Sequence, residues 1–140
     1  MSYLSSARAA IIAKAAGIAG IGSTYARLPE TIGSAPAIVL GPVTWTTQPG
    51  DRERTSYQFE LWLYVERLAS DDQTIATADD FIDLVQAAYA AGITLGLSGT
   101  TQCVIRGGAA NEWVTVGEAE YLRVTFRLEL ASTRQRGYTA

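Results

Sequence analysis

Histidine is absent from this chain of 140 residues, and cysteine occurs once, at Cys103. Without histidine the commonest general base and the commonest metal ligand are missing, and a serine or cysteine nucleophile has no imidazole to activate it. One cysteine and no histidine also argue against a zinc site. A lone cysteine forms no disulfide within the chain, which accords with a reducing compartment without requiring one. Positive charge is short as well. Eleven lysines and arginines stand against 14 aspartates and glutamates, a net charge of -3, so the basic footprint of a nucleic-acid binder is missing. The most apolar N-terminal stretch, Ala7 to Ile21, is broken by Arg8 and Lys14 and diluted by Gly17 and Gly20. It suits neither a membrane span nor a signal peptide. Gly107-Gly108 leads to no lysine, so there is no phosphate-binding loop.

What is present is a globular composition, 48% hydrophobic and 18% charged, with a length that suits one domain and no repeat or low-complexity linker. The most informative stretch is Ser56 to Val65. Tyr57, Phe59, Leu61, Leu63 and Val65 point one way; Gln58, Glu60, Trp62, Tyr64 and Glu66 point the other. A period of two predicts a strand. Tyr121 to Leu130 repeats the pattern, with Leu122, Val124, Phe126, Leu128 and Leu130 on one face and Tyr121, Arg123, Thr125, Arg127 and Glu129 on the other. Two such strands imply an antiparallel sheet covered on one side only.

The rest of the chain supplies the cover. Ser2 to Ala16 reads as a helix capped by Ser5 or Ser6, with Leu4, Ala7, Ile11, Ile12 and Ala15 on one stripe. Ser23 to Ser34 reads as non-helical around Pro29. Ala35 to Leu40 reads as a short buried strand ending at Gly41-Pro42. A second helix opens at Ser70-Asp71-Asp72, presents Ala78, Phe81, Ile82, Val85, Ala88 and Tyr89, and stops at Gly92. Thr101 to Arg106 and the stretch around Trp113 read as two short strands separated by Gly107-Gly108. The expected fold is α+β: a mostly antiparallel sheet of about four strands with two helices on one face, in the order α-β-β-α-β-β. Residues 131–140 read as an aperiodic, flexible C-terminal tail of this single domain.

Four features carry candidate chemistry or contacts. Asp72, Asp79, Asp80 and Asp83 are a possible magnesium or acid–base cluster, but Asp79 and Asp83 share a helix face that reads better as solvated surface. Cys103 alternates within an apolar strand and reads as a core thiol. No cofactor or metal is expected, and the chain reads as a non-enzyme. The polar-aromatic sheet face, with Trp62, Tyr64, Arg123 and Arg127, is either a wet face with glutamates opposite arginines or a contact surface for another protein, where Trp, Tyr and Arg are enriched. Thr46 to Arg54 carries Gln48, a Pro-Gly turn and the run Asp51-Arg52-Glu53-Arg54, and follows Trp45. It reads as a long hairpin or as a loop projecting from the sheet, and such loops often carry function. The candidate interface is therefore Trp45, Gln48, Asp51, Arg52, Glu53, Arg54, Trp62, Tyr64, Arg123 and Arg127.

The order of these pieces resembles the tail terminator, or tail completion, proteins of long-tailed bacteriophages. The matching features are the alanine-rich first helix, Tyr25-Ala-Arg-Leu-Pro29, the strand Pro36-Ala-Ile-Val-Leu40, the strand Tyr57 to Val65, the helix Phe81 to Tyr89 and the closing strand Leu122 to Leu130. The resemblance covers most of the chain and lies in element order and hydrophobic texture, with no catalytic signature. It implies a virion protein that forms a ring, commonly of six subunits, at the head-proximal end of the tail tube. Such a ring stops tube growth and meets the head connector. Its implied partners are other copies of itself, the tail tube protein and the head–tail connector protein; genomic DNA passes through without specific binding, and no membrane is involved. Assembly would take place in the host bacterial cytoplasm. A head–tail adaptor or other minor tail or neck protein, and a small non-catalytic binding module, remain alternatives.

Overall fold

A computed structural model describes residues 2–50, 52–90, 95–97 and 100–135. The first helix, α1 (Tyr3–Ala16), is capped by the Ser2 hydroxyl, which accepts from the Ser5 amide at 3.1 Å. Ser5 and Ser6, the expected caps, lie inside the helix. Three strands follow, β1 (Ser23–Tyr25), β2 (Ala37–Gln48) and β3 (Arg52–Glu66). The second helix, α2 (Asp71–Ala88), is capped by Ser70, which accepts from the Gln73 amide at 3.2 Å. Its first-turn acids Asp71 and Asp72 favour the positive end of the helix dipole. The helix gives way at Tyr89; the expected stop, Gly92, lies outside the described residues. Strands β4 (Thr100–Val116) and β5 (Ala119–Gln135) close the chain.

The expected sheet is corrected. Among the described residues it has five strands in the order β1-β2-β3-β5-β4. It is mixed, because β1 runs parallel to β2, pairing Ser23–Tyr25 with Ala37–Val39, while the other pairings are antiparallel. The element order is thus α-β-β-β-α-β-β. The stretch after Gly107-Gly108 does not start a new strand. Strand β4 passes through it with register irregularities at Ile105/Gly107 and Ala109/Glu112. A side chain at Gly108 would lie 2.3 Å from the Thr125 carbonyl, so glycine there permits close approach to β5 rather than a break. The tail expected from residue 131 is strand as far as Gln135, paired with β3.

Both helices lie on the face that carries Phe59, Leu61, Leu63, Val65, Leu122, Val124, Phe126, Leu128 and Leu130. The α1 stripe of Ala7, Ile11 and Ala15 and the α2 residues Ala78 and Val85 are buried there. Tyr89, at the end of α2, is also buried and ties the helices together by donating from its hydroxyl to the Ile11 carbonyl at 2.7 Å. Burial pushes the neighbouring Cys103 thiol up to about 11. Phe81 and Ile82 are only half-buried. Thr74, unremarked in the sequence, is fully buried; its hydroxyl accepts from the Leu68 amide at 2.9 Å and donates to the Ser70 carbonyl at 3.1 Å.

The opposite face is not bare at its base. After β1 the chain crosses it through residues 26–36. Tyr25, Ile32 and Ala35 pack there on a second cluster of Ala37, Val39, Tyr64, Val116 and Tyr121. Gly117, at φ +64°, lets the β4–β5 turn press on Thr31; a side chain there would lie 2.7 Å from the Thr31 methyl.

Candidate interface at the uncovered end of the sheet

The sheet has two ends of different character. Strand β2 is buried from Ala37 to Gly41 and largely exposed from Pro42 to Gln48. Past the irregularity at Leu40/Val43 it keeps pairing with β3, through Trp45↔Tyr57 and Thr46↔Ser56 to Gln48↔Arg54. Strand β5 follows β3 just as far, with Arg54↔Thr133 and Arg52↔Gln135. The segment Thr46 to Arg54, read as a projecting loop or a long hairpin, is a hairpin. Its strands are rich in threonine, whose branched side chain suits a pleated surface. The Thr47 and Thr55 hydroxyls meet at 3.2 Å, and Thr44 donates to Gln58 Oε1 at 3.3 Å.

Five of the ten sequence-predicted interface residues sit at this end. Trp45 stands on the helix face opposite Tyr57 and is 62% exposed. Tyr57 is itself stacked under Tyr3, ring centroids 5.4 Å apart, so α1 just reaches this row. Gln48 and Arg54 face each other and are exposed. Glu53 is half-buried. Arg52 pairs with Gln135 of β5, and Asp51 lies outside the described residues.

The other four have different surroundings. Tyr64 is 1% exposed and meets Tyr121 edge-on at 6.1 Å, so it does not face solvent as the alternation predicts. The crossing segment covers it, and burial raises its pKa, with the Arg123 hydrogen bond opposing. Trp62 is half-buried between two strands' worth of neighbours. Gly41 brings the β2 backbone to its ring, where a side chain at 41 would lie 3.0 Å away, and the Arg123 guanidinium lies 5.0 Å from the ring centroid. Arg123 in turn pairs with Glu112 at 2.6 Å. Gly41, Trp62, Arg123 and Glu112 thus form one internal contact ladder across β2, β3, β5 and β4. Arg127 is exposed, opposite Glu60 and Gly107, in a shallow groove of about 540 Å³ that Thr44, Gln58, Arg106 and Glu129 also line.

Sequence reasoning passed over Arg67. Its guanidinium pairs with Glu120 and with Asp71, the latter at 3.1 Å, and lies 4.9 Å from the Trp113 ring. It pins the start of α2 to the β4–β5 hairpin. The four-residue step from Arg67 to Asp71 at a helix start is the signal that could have found it.

Chemically, the site offers backbone edges, hydroxyls, one exposed indole and charges of both signs. Asp72, Asp79, Asp80 and Asp83 are exposed along α2. Among the described residues no group of three or more histidine, cysteine, aspartate or glutamate side chains could hold a metal, and no helix is long and apolar enough to cross a membrane. No protein-family model matches the chain, and no curated protein matches it.

Proposed function

We propose that this chain is a non-enzymatic structural subunit of a long-tailed phage virion. Copies close into a ring, of six as in the family it resembles, that caps the head-proximal end of the tail tube and joins it to the head connector. It assembles in the bacterial cytoplasm with the tube protein and the connector as partners, and DNA passes through its bore without specific contact. A net charge of -3 per copy leaves little to hold DNA to a bore wall.

The observation that carries this reading is the uncovered end of the sheet. Strand β2 runs on beyond its buried half, largely exposed from Pro42 to Gln48 and still paired with β3, with Trp45 62% exposed. A strand end that buries so little contributes little to the stability of a lone subunit, and a large exposed aromatic there suits an interface anchor. Subunits of a ring need two distinct patches, and the hairpin end and the open-face groove are two.

The test is electron microscopy of tails assembled with a chain in which Thr47 to Glu53 is replaced by a short Gly-Ser turn. The shortened subunit should fold, and its tails should be uncapped and overlong. Tails of normal length, or purified tubes that acquire no terminal ring from the wild-type chain, would remove the reading.

A further inference from the structure

We infer that neighbouring copies join by strand pairing, the uncovered end of β2 in one copy adding to the first turns-free run of β4 in the next, so that one sheet continues from subunit to subunit. This rests on the ring reading above.

Three observations converge. The first is location. β1 pairs only with Ala37–Val39, which leaves the outer edge of β2 unpaired from Leu40 to Gln48 among the described residues. At the other side of the sheet the outer edge of β4 is unpaired among the described residues. Tracing across the strands, Val43, Phe59, Leu128 and Ile105 form one row, Trp45, Tyr57, Leu130 and Cys103 the next but one, and Thr46, Ser56, Ala131 and Gln102 the row after. The open stretch of β2 and the Gln102–Ile105 stretch of β4 therefore lie at the same end of the sheet.

The second is direction. Three successive antiparallel pairings separate β2 from β4, so the two run oppositely. A copy placed beside the first, strands keeping their directions, brings β2 against β4 antiparallel and extends the pattern already present within the subunit.

The third is chemistry. Free edges are normally blunted by charge, proline or bulges. Val43–Gln48 and Thr100–Ile105 contain no charged residue and no proline, and past one register shift at Thr100/Gln102 the run Gln102–Ile105 pairs with β5 without irregularity. The remainder of β4 is blunted: it carries Arg106 and Glu112 and two further register shifts. The two neutral runs can lie side by side with no like charges opposed. The contact uses a different edge on each partner, so it is head-to-tail and closes into a ring when the rotation permits.

Two substitutions break opposite halves of this contact. Thr46→Lys charges the β2 edge and leaves β4 intact; Val104→Lys does the reverse. Each variant alone should stay monomeric by sedimentation, with circular dichroism confirming that it folds. Mixed in equal amounts they should form a dimer and nothing larger, because one good edge remains on each. A Val104→Lys chain that still assembles alone, or a mixture that builds rings, would overturn the pairing. Hydrogen exchange on the wild-type chain tests it without any substitution. On association, the outward amides of both 43–48 and 100–105 should slow by about tenfold or more. Association that protects neither run or only one, or a chain that stays monomeric at every concentration with and without tail tubes, also sinks it. Rings with both runs protected that leave tubes uncapped would uphold the pairing and remove the tail reading.

Discussion

The base and the far end of this sheet are built from the same strands in the same pairing, yet only one is a core. At the base, Leu61, Leu63, Leu122 and Val124 lie under the helices, and Tyr64, Tyr121, Ala37 and Val39 lie under the crossing segment. At the far end the ladder continues to Gln48↔Arg54 and Arg52↔Gln135, and β2 is exposed from Thr44 to Gln48. Hydrophobic burial stabilises the first region; backbone pairing and cross-strand threonine contacts, roughly 0.2–1 kcal/mol each, hold the second. The difference teaches that strand alternation reports which way a side chain points, while burial depends on what another part of the chain lays over it. It also separates the candidate interface residues: Tyr64, Trp62 and Arg123 are engaged within the subunit, and Trp45, Gln48 and Arg54 are not enclosed by it.

The comparison breaks most easily at Tyr64. Replacing it by alanine should cost roughly 3–5 kcal/mol in denaturant melts, as for other large buried aromatics. A loss under about 0.5 kcal/mol, the range of surface positions, would return Tyr64 to the solvent face and erase the second core.

A pH titration probes the helix side of the base. The Cys103 thiol is fully buried, and its pKa rises from 9.0 to about 11 on folding. Between those values the folded chain keeps a proton that the unfolded chain has released. The contribution is therefore complete below pH 9 and is lost as pH rises toward 11, by about 2–3 kcal/mol. A Cys103→Ala chain should show a correspondingly flatter decline over that window; parallel profiles would mean the thiol is solvated. A smaller effect is expected at Tyr89→Phe. It removes only the hydroxyl that bonds Ile11, so chemical melts should show a loss of about 1 kcal/mol.

The sequence made the base legible where periodicity is strong. The strands Tyr57–Val65 and Leu122–Leu130 and the stripes of both helices read directly, because each buries one continuous face. β1 was not legible, since three residues carry no period, and its pairing depends on the distant Ala37–Val39. Its absence from the reading left the expected sheet without its parallel pair and left Tyr64 uncovered, because the cover comes from the aperiodic residues 26–36. Gly107-Gly108 looked like a break because close backbone approach and a strand end call for the same residue. Residues 131–135 looked like a tail, and Thr46 to Arg54 like a loop, for one shared reason. A strand that buries no continuous face needs no apolar alternation: Thr44 to Gln48 are exposed, and Ala131 is buried without any flanking period, so neither stretch reads as a strand from its pattern.

That same argument fixes the last and smallest effect on folding. Trp45 is the bulkiest side chain on the uncovered rows, opposite Tyr57 and 62% exposed. Removing it leaves no cavity in the subunit, so Trp45→Ala should change monomer stability by less than about 0.5 kcal/mol. If the far end is where copies or the tail tube meet, the same change removes an aromatic anchor. Association should then weaken by about 2 kcal/mol or more, roughly 30-fold in dissociation constant. Melting curves read the first quantity and sedimentation of the assembled chain the second. A large loss of monomer stability would show that the far end has a core of its own. An unchanged melt with unchanged association would leave the indole in water and move the contact to the neutral strand edge alone.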